Sequence, residues 1–371
     1  MLAVPEHRGK SELCLTQADP ARLPVAAEWD DLAGEALEAN PFLERWYMAP
    51  ALKHLAEDPV WMAKYRVDGE LCGLMPLSLR DGYGRMPVRH IGNWVHYQCF
   101  MGSPLIREGH GTGFWIALLD ALDRADWVPG FLSVRMLDAK GPVMRALAMA
   151  GRPCPIVHRH ERAILASELS GPAYLEANVR GKKRKEWRRL ESRLAETGAV
   201  AFELLQDPAL LVDWCDDFLA LEAAGWKGER GAALGNVDAT RAFFLETMSG
   251  AQAAGKLEFQ RLTLEGKPIA MLINFLTPPG SWSFKIAYDE SLARFSPGVM
   301  IELRNLARVL SDPEVDWMDS CAVEGHPMID HLWAERREIV QVSVPLSGLK
   351  RRLTYAACRA AETASARLRK R

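Results

Sequence analysis

The order of turn and helix signals in this chain runs twice. Asp68-Gly69 separates the strand-like stretches "WMAKYRV" and "ELCGLMPLSLR", and Glu265-Gly266 separates "KLEFQRLTL" from "KPIAMLINFL". A short acidic-Gly pair between apolar strand patterns is a hairpin signal, because a tight turn needs residues that accept positive φ. The two turn glycines, Gly69 and Gly266, stand 197 positions apart. Gly113 and Gly298 each open the next helical pattern, 185 positions apart, and the strand patterns beginning at 131 and 315 stand 184 apart. Identity between the halves is low. Order and spacing alone read as two copies of one α/β unit.

Each copy runs helix, helix, hairpin, strand, loop, helix, strand, short helix, strand. The expected division is an N-terminal leader over 1–24, a first unit over 25–168, a basic connecting helix over 169–200, a second unit over 201–347 and a basic tail over 348–371. With 371 residues, 49% of them hydrophobic, both units can bury a core. A net charge of −2 gives no global field toward nucleic acid. Seven scattered cysteines without a Cys-x-x-Cys pair argue against a disulfide framework and a structural zinc. No apolar run approaches a membrane span, and "MLAVPEHRGKSEL" lacks the apolar core of a signal peptide. The expectation is a cytoplasmic protein, peripheral on the inner face of the membrane if its basic segments meet an anionic surface.

Three stretches carry chemistry. In "KIAYDESLARFSPGVMIELRNLARVL" a strand runs through a polar loop into a helix opened by Ser296-Pro297-Gly298. Pro pre-sets the first turn and Gly admits close backbone approach, so the helix start offers an anion site, with Arg294 beside it. Met300, Leu303, Leu306, Ala307 and Leu310 form the expected sheet-facing side of that helix. "DSCAVEGHPMIDHLW" supplies Asp319, Cys321, His326, Asp330 and His331 after a strand end. His326 is the expected base, since an imidazole titrates near neutrality, with Asp319 or Asp330 to orient it. In "LEAAGWKG", Glu222 and Lys227 flank a pocket walled by Trp226. Lys285 and Tyr288 lie on one strand at odd spacing and face opposite sides. No spacing matches a standard metal site, so none is expected.

"RGKKRKEWRR" at 180–189 and the tail "LKRRLTYAACRAAETASARLRKR" concentrate positive charge. Both suit a solvated helix, an anionic lipid surface or a phosphate-bearing ligand.

The unit order, together with "GKKRKEWRRLESRLAETG", "FLALEAAGWKGERGAAL", "KIAYDESLARFSPG" and "DSCAVEGHPMIDHLW", resembles the GNAT acyltransferases. Within them it is similar to the CelD/BcsL-type branch, built from two such units. The likeness covers about residues 25 to 345. It implies an α/β fold of two tandem GNAT-like units, each a mixed twisted sheet flanked by helices. It also implies an acyl-CoA-dependent N-acyltransferase: the donor phosphates would sit at Arg294, Phe295, Ser296, Pro297 and Gly298. His326, Asp319, Lys285, Glu222 and Lys227 would supply catalysis, and Trp226, Tyr288 and His331 would line the acceptor site. Acyl-CoA and an amine are the implied substrates, and likeness to bacterial ceramide synthases points to a long-chain sphingoid-type amine. A Fem-like ligase using aminoacyl-tRNA and a non-catalytic exopolysaccharide-assembly protein are the alternatives. The GNAT pyrophosphate pattern Arg/Gln-x-x-Gly-x-Gly/Ala is not kept. In "REGHGTG" His110 stands three after Arg107 where Gly is expected, and "RFSPG" replaces the pattern in the second half.

Overall fold

The computed structural model describes residues 10–19 and 23–369, apart from the side chains of Lys227 and residues 365–369. The expected leader thus lies partly outside the described residues. Its described part forms a strand.

The strands are β1 (Ser11–Gln17), β2 (Val60–Val67), β3 (Glu70–Arg80), β4 (His90–Asn93), β5 (Leu105–Ile106), β6 (Phe131–Asp138), β7 (Ile156–Leu165), β8 (Val200–Leu204), β9 (Leu257–Leu264), β10 (Lys267–Thr277), β11 (Gly280–Tyr288), β12 (Trp317–Asp319) and β13 (Glu335–Pro345). The helices are α1 (Ala26–Gly34), α2 (Arg45–His54), α3 (Gly111–Arg124), α4 (Pro142–Met149), α5 (Gly171–Asn178), α6 (Gly181–Ala195), α7 (Leu211–Ala224), α8 (Trp226–Glu229), α9 (Asp238–Ala253), α10 (Pro297–Val309) and α11 (Leu349–Arg369).

The chain divides into two compact units. Unit 1 holds residues 1–48, 56–160 and 338–371; unit 2 holds 49–55 and 161–337. In unit 1, β1, β2, β3 and β4 pair antiparallel, β4 then pairs parallel with β6, and β6 pairs antiparallel with β13. In unit 2, β8, β9, β10 and β11 pair antiparallel, β11 pairs parallel with β12, and β12 pairs antiparallel with the end of β7. The strands of the two units share one pairing pattern, with the closing strand exchanged in sequence. Residues 338–345, placed by sequence order in the second unit, close the first; residues 161–165, placed in the first, close the second.

Both hairpins turn where the acidic-Gly pairs stand. Asp68 and Gly69 have φ of 50° and 89°, Glu265 and Gly266 of 49° and 74°. Two successive positive φ values match the right-handed twist of the flanking strands. In unit 1, α3 and α4 pack one sheet face through Phe114, Trp115, Leu118, Leu122, Val143 and Leu147. Gly73 makes this possible, since a Cβ there would lie 2.4 Å from the Phe114 ring.

The tail is a helix seated on unit 1. Tyr355 and Cys358 of α11 pack with Tyr83 and Phe131, and Arg351 donates to the carbonyls of Leu122, Asp123 and Ala125 that end α3. Arg359 pairs with Glu362. These arginines are committed to the fold, so the expected free basic surface from Lys350 onward is smaller than its charge count.

In unit 2, Asp319 ends β12 fully buried. Its carboxylate accepts from Arg162 at 3.3 Å, from Arg337 at 3.0 Å and from the Cys321 N–H at 2.8 Å. Arg162 is itself buried, and Arg337 lies over the Trp317 ring at 4.0 Å. Asp319→Ala would break the buried ion pair with Arg162, which costs about 3–5 kcal/mol. Urea unfolding should show that loss; a variant as stable as the parent would rule out the anchoring role.

Candidate active site

The parallel pairing of β11 and β12 covers three positions: Gly280 with Trp317, Ser281 with Met318 and Trp282 with Asp319. Beyond Trp282 the two strands part. β11 continues for six residues paired with β10, with no other described strand pairing to it there, and this leaves a slot between β11 and β12. Ile273 pairs with Lys285 but Asn274 with Ser283, so Phe284 is the extra residue of a bulge at the mouth of the slot.

The far end of β11 leads to the helix entrance. The Asp289 side chain accepts from Ser291 N–H and starts a 3₁₀ turn over Glu290–Phe295. Ser296 follows in the left-handed conformation (φ 56°, ψ 53°), and Pro297 opens α10. Pro297 has no N–H, and the Val299 and Met300 amides both return to the Ser296 carbonyl, at 3.0 and 3.2 Å. That leaves the Gly298 amide, with the helix dipole behind it, as the anion donor. A Cβ on Gly298 would lie 3.1 Å from Tyr288 Cδ1 and 3.6 Å from Met328 Sδ. Phe295 is buried; Arg294 is exposed, its guanidinium 4.8 Å from the Phe295 ring. α6 packs against the same 3₁₀ turn, burying Trp187 and Leu194 while Lys182, Lys183, Lys185, Arg188 and Arg189 stay exposed.

A pocket opens on β11, lined by Glu222, Gly225, Trp226, Ala287, Tyr288 and Glu290 among others. Three expected site residues, Glu222, Trp226 and Tyr288, therefore meet there. Glu222 is 3% exposed and accepts from Leu234 N–H at 2.8 Å. Glu290 caps the Trp226 amide at 2.9 Å. Burial, with the Glu290 charge, raises the Tyr288 phenol, which keeps its proton near neutrality. Lys227 lies in α8, but its side chain falls outside the described residues. Lys285 shares a face with Ala287 and lies near enough to Cys321 to bear on its thiol. Burial and the Asp319 charge nevertheless push that thiol well up, which disfavours a thiolate nucleophile.

His326 and its expected partners are arranged differently from the sequence reading. Its Nδ1 faces the amides of Met328 and Ile329 at 3.4 and 3.3 Å and accepts from them. Nδ1 as acceptor places the ring proton on Nε2, so neutral His326 presents a donor rather than a basic lone pair. Asp319 is held by two arginines, and Asp330 lies 3.6 Å from Arg336. His331 is exposed on the 3₁₀ turn that follows.

Two residues that sequence reasoning passed over sit under α10. The buried side of this helix includes Gly298, Ile301, Glu302, Asn305, Leu306 and Val309, whereas Ala307, expected there, is exposed. Asn305 accepts from Gln260 at 3.0 Å and Asn274 at 2.8 Å and donates to Glu302 at 3.2 Å. Gln260 and Asn274 also donate to Glu258, which pairs with Arg308. A polar row therefore runs from the interior to the surface. Glu and Asn three apart on an apolar helix face were a legible signal of it.

Among the described residues, no group of three or more His, Cys, Asp or Glu could hold a metal ion. All described cysteines are free. No helix among the described residues is long and apolar enough to cross a membrane.

Unit 1 carries the same architecture in a closed form. β4 and β6 pair parallel at Ile91–Leu132 and Gly92–Ser133. The next residue, Asn93, donates to the Arg135 and Gly102 carbonyls at 2.9 and 3.0 Å and accepts the Arg135 N–H at 2.9 Å, stitching the slot. Arg107 of "REGHGTG" is bound by Asp31, Glu35 and Glu70, so it is not available to a phosphate.

Burial pushes the Glu302 carboxyl up to about 7 from an ordinary 4.5. An acid raised on folding contributes its stability fully below the unfolded pKa and loses it as pH rises through the folded one. Glu302→Gln removes that loss. The variant should therefore gain on the parent between pH 5 and pH 8, by on the order of 3 kcal/mol in urea unfolding. An equal difference at both pH values would mean that Glu302 ionises normally.

Residues 181–326 match the family described as acetyltransferase (GNAT) domain. No curated protein matches the chain. A conserved protein of unknown function from Bacteroides thetaiotaomicron is similar in fold: TM-score 0.56, 13% identity, covering 89% of this chain and 100% of that one. FemX is similar at TM-score 0.54 and 11% identity, covering 89% and 98%. At such identities the likeness concerns the fold. Residues 181–326 are thus similar to GNAT acetyltransferase domains, and that match supports an acyltransferase.

Proposed function

We propose that unit 2 transfers an acyl group from acyl-CoA to an amine. The observation that carries this reading is the slot: β11 and β12 part after three paired residues, and β11 runs on to the Ser296–Gly298 helix start. The amide-bearing arm of a thioester donor pairs with a strand edge as an added strand. Its phosphates then meet the Gly298 amide, Arg294 and the exposed basic side of α6.

In the reaction the amine nitrogen bonds to the thioester carbonyl carbon. The carbon–sulfur bond breaks, the ammonium proton passes to a base, and the thiolate takes a proton. Glu222 is the proposed base, because it is buried in the pocket beside Ala287. Tyr288 keeps its phenolic proton and is the proposed acid. Lys285 or the His326 Nε2–H steadies the oxyanion. Asp319 is proposed to position the loop, and Lys227 and His331 stay as further proposed site residues.

The specific acceptor we propose is a long-chain, sphingoid-type amine, met at the inner face of the membrane. Trp226, Val237 and Val323 of unit 2 are large apolar side chains left exposed, which suits an apolar acceptor. The exposed lysines and arginines of α6 also suit a Fem-like reading with an aminoacyl-tRNA donor, whose binding would weaken steeply with salt.

Thiol release from short and long acyl-CoAs over a panel of amines tests the proposal. Release should require both substrates and be fastest with sphingoid bases. Gly298→Ala should raise KM for acyl-CoA at least tenfold, since the added methyl presses on the Tyr288 ring at the phosphate amide. Release with soluble amines alone would reject the lipid acceptor. No release with any amine, alongside salt-sensitive binding of aminoacyl-tRNA, would favour the Fem-like donor.

A further inference from the structure

Unit 1 carries a charge arrangement that acyl transfer does not use. Arg80 ends β3 and Arg135 lies in β6, both half-buried on one face of the sheet. Arg80 lies across Gly92 of the intervening β4, where a Cβ would be 3.6 Å from its Nε. Its Nη2 donates to the Asn93 carbonyl at 3.3 Å, and Arg135 Nη2 to the Val95 carbonyl at 3.5 Å. The two guanidinium groups thus follow the same short stretch of backbone. Each Arg135 charge bears on Arg80: burial and Arg135 together depress the Arg80 guanidinium to about 10. His90, paired opposite Arg80, is lowered by burial and by both arginines.

Among the described residues no carboxylate pairs with either arginine. The Nε atoms of both are buried without an acceptor. The side-chain hydrogen-bond acceptors the structure gives them are backbone carbonyls, and two such contacts do not neutralise two cations. The rest of this face offers donors: the Ser133 hydroxyl lies between them in register, holding Gln341 Nε2 at 2.9 Å. Like charges held half-buried without a counter-ion are unstable unless something anionic joins them.

We propose that Arg80 and Arg135 form a binding site for a phosphate group. Two guanidinium ions match a dianion, and a phosphate monoester carries about −1.5 to −2 at neutral pH, whereas a carboxylate would leave one arginine unbalanced. The planar fork of each arginine suits bidentate contact with phosphate oxygens. The site is independent of the acyl-transfer reading.

Isothermal titration of inorganic phosphate into the full chain, at ionic strength matched with chloride, tests this. Saturable binding is expected, weakened at least tenfold by Arg80→Gln and by Arg135→Gln. Arg89→Gln, which removes an exposed partner of Asp81, should leave it unchanged. Melting in the absence of phosphate separates site from scaffold. Removing one of two repelling cations should leave Tm unchanged or raise it, and only the parent should gain Tm on adding phosphate. Equal phosphate binding by parent and both variants, heat no greater than that of chloride, or acetate binding as tight as phosphate would each overturn the proposal. Tighter binding of glycerol 3-phosphate than of inorganic phosphate would support a monoester as the occupant; equal binding would support the free ion.

Discussion

The buried carboxylate of Asp319 decides where unit 2 opens. It stands at the last parallel pair of β11 and β12, gripped by Arg162 from β7 and by Arg337. The same carboxylate takes the Cys321 amide, which turns the chain into a left-handed residue (φ 52°) and away from β11. A buried charge with three donors has few alternatives, because breaking a buried ion pair costs several kcal/mol. The parting of the strands is therefore built in, and the loop carrying His326 starts from a fixed point.

The two units show how small a change closes such a slot. In unit 1 the amide two residues past the last parallel pair, that of Arg135, is bonded across the gap by Asn93. In unit 2 the corresponding amide, that of Cys321, is bonded by Asp319 of its own strand. The residue facing the gap from β11 is Ser283, too short to repeat the double bond that Asn93 makes. One unit thus holds an unstitched gap between its strands beside an anion-ready helix start. The other holds a closed edge beside two uncompensated arginines.

Glu302 and Asn305 give the open unit a second distinctive feature. They place a hydrogen-bonded polar row beneath the helix whose first turn carries Gly298. Such a row favours one helix register over others, since any slip strands its donors. It also couples helix stability to pH in the range where Glu302 ionises, so conditions that load charge onto this helix bear on the phosphate end of the slot.

The sequence by itself determined the repeat, both hairpins and the Ser-Pro-Gly helix start, because each rests on local backbone chemistry: positive φ at the turns and fixed φ at Pro297. It also marked Glu222, Trp226 and Tyr288 for a pocket. Partner choice was beyond it. β7 and β13 read as ordinary closing strands, and nothing in an alternating pattern says which sheet a strand closes, since alternation records faces and not neighbours. Asp319 read as a catalytic aid because its arginines lie 157 and 18 positions away. His326 read as a base because only tertiary structure reveals that its Nδ1 is already facing two amides. Long-range pairing of buried charge is settled only when the chain closes on itself, which no local pattern records.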